Sequence, residues 1–242
     1  MAASLFISDL HLASERPRIV EQFFHFLSTT ARGSQALYVL GDLFEYWAGD
    51  DDLDDPLNRL VSEAFARLAH GGTAVYFMHG NRDLLVGAQF AQRSGARLLD
   101  DPTLIELHGT PTLLMHGDTL CTDDVEYQKF RVYARDPQNQ ARFLAQPVAA
   151  RRAQLAGLRE SSESAKQGKT AEIMDVSAEA VEQALRQARY PRLIHGHTHR
   201  PARHIHHVDG RECVRWVLGD WYETGNYLRC DENGCSAAKL AT

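Results

Sequence analysis

Five short segments carry residues able to bind metal: Ile7-Ser8-Asp9-Leu10-His11, Val39-Leu40-Gly41-Asp42, Met78-His79-Gly80-Asn81-Arg82-Asp83, Met115-His116-Gly117-Asp118 and His195-Gly196-His197-Thr198-His199. Each follows or closes an apolar run, so the polar residues fall where a strand ends and where α/β proteins place their sites. Singly they say little, because Gly-Asp turns and hydrogen-bonded core histidines are common. Their ordered recurrence points to one shared centre. Asp9, His11, Asp42, Asn81, His116, His197 and His199 offer carboxylate, amide and imidazole donors for two divalent ions, with one carboxylate able to bridge them. Such a centre supports hydrolysis, of phosphoryl groups among others. Water bound there falls from a pKa of about 15.7 to near 7, which makes hydroxide available without a separate protein base, and two ions clamp the attacked phosphoryl group. Without thiolate ligands, harder ions such as manganese or magnesium suit the set better than zinc alone.

The elements that must position these residues are legible as short apolar runs alternating with helical stretches, an α/β pattern. The sequence predicts strands over residues 4–8, 36–40, 73–78, 112–115 and 192–194, and further strands over 203–208, 212–218 and 227–230. A helix over residues 17–30 follows from Ile19, Phe23, Phe26 and Leu27 at helical spacing behind Pro17, and a second over residues 57–70 follows Pro56. After residue 122 the spacing is helical throughout, and Pro137, Pro147 and Gly157 are expected to divide the helices. Residues 123–170 are expected to form an inserted helical cap on a core made of residues 1–122 and 171–242. A helix of the main body is expected over residues 177–189.

At 242 residues and 44% hydrophobic content the chain can bury a substantial core. The formal charge of −6 hides a basic segment, because residues 128–170 carry nine Lys or Arg against three Asp or Glu. This segment reads either as a solvated helical face or as a surface for an anion. An acidic remainder without a broad basic face argues against nucleic acid. No apolar run is long enough to cross a bilayer and no leader is evident, so a cytosolic protein is expected. Four cysteines without a Cys-x-x-Cys pair predict reduced thiols, although Cys230 and Cys235 flank a plausible hairpin turn.

The order Asp9-x-His11, Gly41-Asp42, Gly80-Asn81-x-Asp83, His116-Gly117 and Gly196-His197-x-His199 resembles the signature of the calcineurin-like metallophosphoesterase family, over residues 4–217 outside the insert. That resemblance implies a layered αββα sandwich with an inserted helical cap. It implies one ion held by Asp9, His11, Asp42 and His199, a second held by Asp42, Asn81, His116 and His197, and Asp42 as the bridge. Manganese is the implied metal. Asp42, Asn81, Arg82 and His116 would form the catalytic group, with His79 and His195 structural.

One departure is informative. Many relatives have His after the Gly-Asn pair, whereas this chain has Arg82, which stays protonated and stabilises phosphate charge but makes a poor acid. The leaving group should then depart without a proton, as a phosphate does. With Phe44-Glu45-Tyr46-Trp47, Ile173-Met174-Asp175-Val176 and Leu218-Gly219-Asp220-Trp221, the likeness narrows to the branch acting in lipid A synthesis. It implies cleavage of the pyrophosphate of UDP-2,3-diacylglucosamine into UMP and 2,3-diacylglucosamine 1-phosphate. Substrate contacts carry over to Asn81, Arg82, Asp124, Tyr127, Ser162, Lys166, Lys169 and His197. Lys166 departs from the polar amide often found at its position. The implied setting is the cytoplasmic face of the inner membrane, bound peripherally, with a lipid-linked nucleotide as substrate and no obligatory protein partner. A soluble nucleotide phosphodiesterase of the same superfamily and a non-catalytic scaffold are the competing readings.

Overall fold

The computed structural model describes residues 2–167 and 173–240, with residues 160–167 described by their backbone alone. Strands β1 (Ser4–Ile7), β2 (Ala36–Leu40) and β3 (Ala74–Met78) run parallel and are almost wholly apolar because both faces are covered. Leu5, Ile7, Leu37, Val39, Val75 and Phe77 enter one core. Phe6, Tyr38, Leu40 and Met78 enter another, as alternation along a strand requires. The register aligns Phe6 with Tyr38 and Tyr38 with Tyr76, and their rings stack at 4.7 Å in both pairs.

Helices α1 (Pro17–Ser28) and α2 (Pro56–His70) cover the outer face of this sheet. Proline opens each helix, and at α2 the Asp55 carboxylate accepts the Leu57 and Asn58 N–H groups, capping donors that the helix leaves unpaired. Phe23, Phe26, Phe65 and Trp221 meet edge-on in the core beneath. The sequence did not announce α3 (Ala88–Ser94), which adds Phe90 to that core, or the short β4 (Arg97–Leu99). β10 (Asn226–Asp231) and β11 (Gly234–Lys239) complete a six-stranded sheet ordered β11-β10-β1-β2-β3-β4.

A five-stranded sheet packs against it in the order β5-β6-β7-β9-β8: β5 (Thr103–Leu107), β6 (Thr110–Met115), β7 (Arg192–His195), β8 (Ala202–Val208) and β9 (Arg211–Val217). Leu114, Ile194 and Leu218 fill the space between the sheets, while Leu113, Met115 and Leu193 face outward onto Val181 and Leu185 of α7 (Ala178–Gln187). The layers are therefore αββα, as the motif order implied. β5 went unread because it is five residues long and only Leu107 of its three apolar residues is buried.

Between β6 and α7 lie α4 (Val125–Arg135), α5 (Pro137–Leu144) and α6 (Val148–Gln167). Pro137 and Pro147 do separate helices. Gly157 does not: it lies inside α6, because glycine keeps its N–H and costs a helix only about 1 kcal/mol relative to alanine. α6 is fastened to residues 45–55. Arg151, only 1% exposed, donates to the Ala48 carbonyl and pairs with Asp51, and Arg152 pairs with Asp52 at 2.6 Å and Asp55 at 3.0 Å.

The expectation of reduced thiols at the C-terminal hairpin is corrected. The β10–β11 register puts Cys230 directly opposite Cys235, and the two form a disulfide. Cys121 and Cys213 are free and buried.

Phe90 meets the rings of Phe44, Trp47, Phe65 and Phe77, so Phe90→Ala should cost about 3–5 kcal/mol of stability by leaving a cavity that four rings cannot close. Urea denaturation should show this as a lower midpoint at an unchanged slope; a shift worth less than about 1 kcal/mol would mean that the rings repack.

Candidate metal centre

The parallel register of β1, β2 and β3 brings their carboxyl ends level, and backbone hydrogen bonds zip the loops that follow. Asp9 N–H donates to Gly41 at 3.1 Å, His11 N–H to Asp42 at 3.0 Å, and Gly196 N–H to His116 at 2.8 Å. Asp9, His11, Asp42, His197 and His199 all adopt positive φ, between 50° and 68°. Asp and His tolerate this left-handed conformation better than most residues, yet it costs about 1–3 kcal/mol each, and such strain clusters at functional sites. Glycine supplies the close approaches. A Cβ at Gly80 would collide with the Asp42 carboxylate and backbone, and one at Gly196 would strike Ser8 and Asp9.

Asp9, His11 and His199 converge so that their ligand atoms lie within 4.8 Å of one another, and so do those of Asp9, Asp42 and His116. The two groups meet at Asp9, and Asp42 also faces both, with Oδ2 3.9 Å from His11 Nε2 and Oδ1 3.9 Å from His116 Nε2. Asn81 Oδ1 lies 3.1 Å from His116 Nε2, and the His197 ring sits 5.0 Å from the His116 ring. All seven residues singled out in the sequence thus come together at one place. The other two motif histidines are engaged by the protein. His195 lies 2.9 Å from the Gly196 carbonyl through Nδ1 and 3.1 Å from Arg215 through Nε2, and His79 Nε2 is 2.6 Å from the Val86 carbonyl.

Several partners in this arrangement were given no role from the sequence. Asp83, the last residue of the Gly-Asn-x-Asp block, is fully buried, and its carboxylate accepts the N–H groups of Leu43 at 2.7 Å, Gly80 at 2.9 Å and Asp42 at 3.2 Å. It clamps the β2 loop to the β3 loop. Asp118 receives Tyr127 Oη at 2.9 Å and Arg131 Nε at 2.8 Å, tying α4 to the end of β6. Asp220 lies 3.5 Å from His199 Nδ1, Glu45 lies 3.8 Å from His11 Nδ1, and Tyr222 stacks on His11 at 5.5 Å. Carboxylates behind ligand imidazoles fix ring orientation.

Among the expected substrate contacts, Tyr127 places its ring 5.5 Å from His197. Asp124 serves as the N-cap of α4, accepting the Tyr127 N–H at 3.1 Å. Arg82 approaches Glu45 at 3.9 Å and donates its backbone N–H to Asp42 at 2.8 Å. The side chains of Ser162, Lys166 and Lys169 lie outside the described residues.

Charge explains the chemistry of the donor set. Burial alone would raise Asp9, but His199, His116 and His11 hold its carboxyl well below the usual range. Burial raises Asp42, and Asp9 adds to that. Burial would lower His116, but Asp42, Asp118 and Asp9 outweigh it and raise the imidazole to about 9. His197, desolvated and facing His116, drops to about 3. Without a cation, His116 therefore carries the compensating proton: one ring nitrogen faces the Leu40 carbonyl at 2.9 Å and the other faces Asn81. A divalent cation neutralises the same carboxylates and takes the place of that proton, so these residues fit a metal centre.

Comparison with known proteins agrees with this chemistry. The model of the calcineurin-like phosphoesterase family matches residues 4–201, and the chain belongs to that family. It is 57% identical to a UDP-2,3-diacylglucosamine hydrolase of Aromatoleum aromaticum, over 96% of this chain and 94% of that protein. A protein of the same name from Xanthomonas campestris pv. campestris is 52% identical over 98% of this chain and 99% of its own length. Among solved structures, an archaeal phosphodiesterase aligns over 98% of this chain and 99% of its own, with 13% identity and a TM-score of 0.47. The chain is accordingly a metal-dependent hydrolase. No described helix is long and apolar enough to cross a membrane.

The His116 shift has a measurable sign. An imidazole raised from about 6.5 to about 9 contributes stability that is fully present below pH 6.5 and lost as pH rises through 9. Asp83, pushed up to about 7 by burial and by Asp42, acts in the same direction in the lower part of that window. In chelator-treated protein the melting temperature should fall between pH 6.5 and 9, and His116→Gln should flatten the profile. Calorimetry that found the same slope in both proteins would refute the assignment of that proton to His116.

Proposed function

We propose that the chain hydrolyses the pyrophosphate bond of UDP-2,3-diacylglucosamine, giving UMP and 2,3-diacylglucosamine 1-phosphate for lipid A synthesis. The observation that carries this reading is the near-complete likeness to hydrolases named for that substrate, joined to a strand-end centre in which all seven metal-binding positions are filled. Asp9, His11, Asp42 and His199 would hold one ion, and Asp42, Asn81, His116 and His197 the other, with manganese as the metal of choice for a set of oxygen and nitrogen donors. When bound, divalent ions supply Lewis acidity toward phosphoryl oxygens and lower the pKa of water.

The protein's own residues do the rest. Asp42 faces both ligand groups and so sets their separation. Arg82, beside the centre and permanently charged, stabilises charge on a departing phosphate and has no proton to give it. Asn81 and His197 would both ligate and touch substrate. Residues 123–170 act as a cap over a core of residues 1–122 and 171–242, a reading supported by Tyr127 beside His197 and by Arg135 Nη2, which reaches the Gly80 carbonyl at 3.2 Å. Asp124, Tyr127, Ser162, Lys166 and Lys169 would contact the nucleotide or the sugar from that cap.

The cap also supports peripheral attachment to the inner membrane. Val125 is 56% exposed, Val132 71% and Tyr133 63%, on a helix that buries none of its residues and carries the exposed Lys129 beside Glu126. Exposed apolar side chains of this kind suit the headgroup region of a bilayer, and a cation at an anionic surface adds about 1 kcal/mol.

Purified protein should release UMP from the lipid-linked nucleotide in the presence of manganese and leave a panel of soluble phosphodiesters largely intact. Asp42→Ala should abolish turnover more completely than His11→Ala; an Asp42→Ala enzyme with near-normal turnover and two bound metals would sink the assignment. For the cap, replacing Phe130 and Phe143 by serine should weaken use of the diacyl substrate and spare a short-chain soluble analogue. Equal losses on both would indicate damaged folding, and no loss on either would remove these residues from recognition.

A further inference from the structure

Glu45 belongs to the Phe44-Glu45-Tyr46-Trp47 block, yet neither the ligand set nor the substrate contacts account for it. Its carboxylate is 5% exposed and faces groups from three separate parts of the chain. Oε2 lies 3.8 Å from His11 Nδ1 after β1, and Oε1 lies 3.9 Å from Arg82 Nη1 after β3 and 3.2 Å from Arg159 Nε on α6. Two guanidiniums thus approach one carboxylate oxygen. Two cations gathered on one oxygen repel each other, and the anion between them offsets that repulsion.

The backbone around Glu45 serves the same end. Arg82 donates its N–H to Asp42 at 2.8 Å and accepts the Trp47 N–H at 3.2 Å, so its main chain is held on both sides by the segment that contains Glu45. The Glu45 N–H is itself tied to the Leu12 carbonyl at 3.0 Å, one residue past His11. Among the described residues Arg82 has no other ion pair than that with Glu45.

We propose that Glu45 is a positioning residue for the hydrolysis: it sets the Arg82 guanidinium against the phosphoryl group, steadies the His11 ring, and joins both to α6 through Arg159. This rests on Arg82 being the phosphate-binding cation of the proposed function. Glu45 touches no reacting atom and acts through Arg82 and His11. Arrival of α6 and orientation of Arg82 are thereby linked, since one carboxylate oxygen serves both arginines.

The test is a double-mutant cycle of Glu45→Gln and Arg82→Ala in the full chain loaded with manganese. Gln keeps the shape and removes the charge. Glu45→Gln should lower kcat/KM on UDP-2,3-diacylglucosamine by about 10- to 100-fold, the usual cost of losing a residue that orients a metal site, with the melting temperature little changed. In the Arg82→Ala background, with manganese saturating, the same substitution should cost no more than about threefold, because one of its two targets is gone and excess metal offsets the loosened His11. Chelator competition should show manganese released more readily from Glu45→Gln than from Arg82→Ala, because the Glu45 carboxylate faces His11. Losses that multiply across the cycle, or wild-type kinetics in Glu45→Gln, would overturn the proposal. If Glu45→Gln fails to fold, Glu45→Asp keeps the charge one methylene away and should show the same dependence on Arg82. If the wild type ignores the lipid nucleotide but hydrolyses bis(p-nitrophenyl) phosphate, the substrate assignment fails while the same cycle on that diester still decides the role of Glu45. Hydrolysis of neither would end both.

Discussion

Asp9 and Asp42 put two carboxylates out of water beside one another, where their repulsion and lost hydration would unfold most loops. They are compensated at several levels. Backbone and hydroxyl donors reach each one: Ser8 Oγ and the His197 N–H on Asp9, and the Arg82 N–H on Asp42. Imidazoles ring them, and a divalent cation in place of the His116 proton would complete the neutralisation. The sandwich exists in this form because only strand ends held in register by two packed sheets deliver donors from five segments to one point.

The donor groups are themselves held by charges one step further out. Asp83 gathers N–H groups from two loops, Asp118 binds the first helix after β6, and Asp220 stands behind His199. Acidic residues are therefore used twice, at the candidate metal centre and behind the imidazoles that face it. Arginines from α4 and α6 answer the outer set. The basic stretch that stood out in the composition is in good part consumed there: Arg131 on Asp118, Arg151 on Asp51, Arg152 on Asp52 and Arg159 on Glu45. Neither the solvated face nor the anion surface describes these four, which bolt helices to an acidic body.

The centre was legible because each ligand follows an apolar run, and that pattern is local. Strands β1, β2, β3, β6 and β7 were read for the same reason. What escaped depends on tertiary context. Nothing near Tyr222 in the chain announces that its ring lies on His11, and Asp83 is one more acid after a turn until the β2 loop closes over it. α3 and β4 are seven and three residues long, too short for periodicity to rise above chance. The cysteines failed for another reason: compartment chemistry argued for thiols, whereas hairpin register put two sulfurs within bonding distance.

The left-handed backbone at Asp9, His11, Asp42, His197 and His199 also limits how this sequence can drift. A β-branched residue at any of these positions would meet a heavy steric penalty before any question of ligation arose, whereas Asn, Asp and His meet a smaller one and Gly none. Descendants that abandoned the metal would therefore tend to show Asn or Gly where the ligands stood, so lost activity would be recorded in a narrow alphabet rather than in random replacements. The same restriction means that an intact set of ligands reflects two selections at once, one for binding the cation and one for turning the chain.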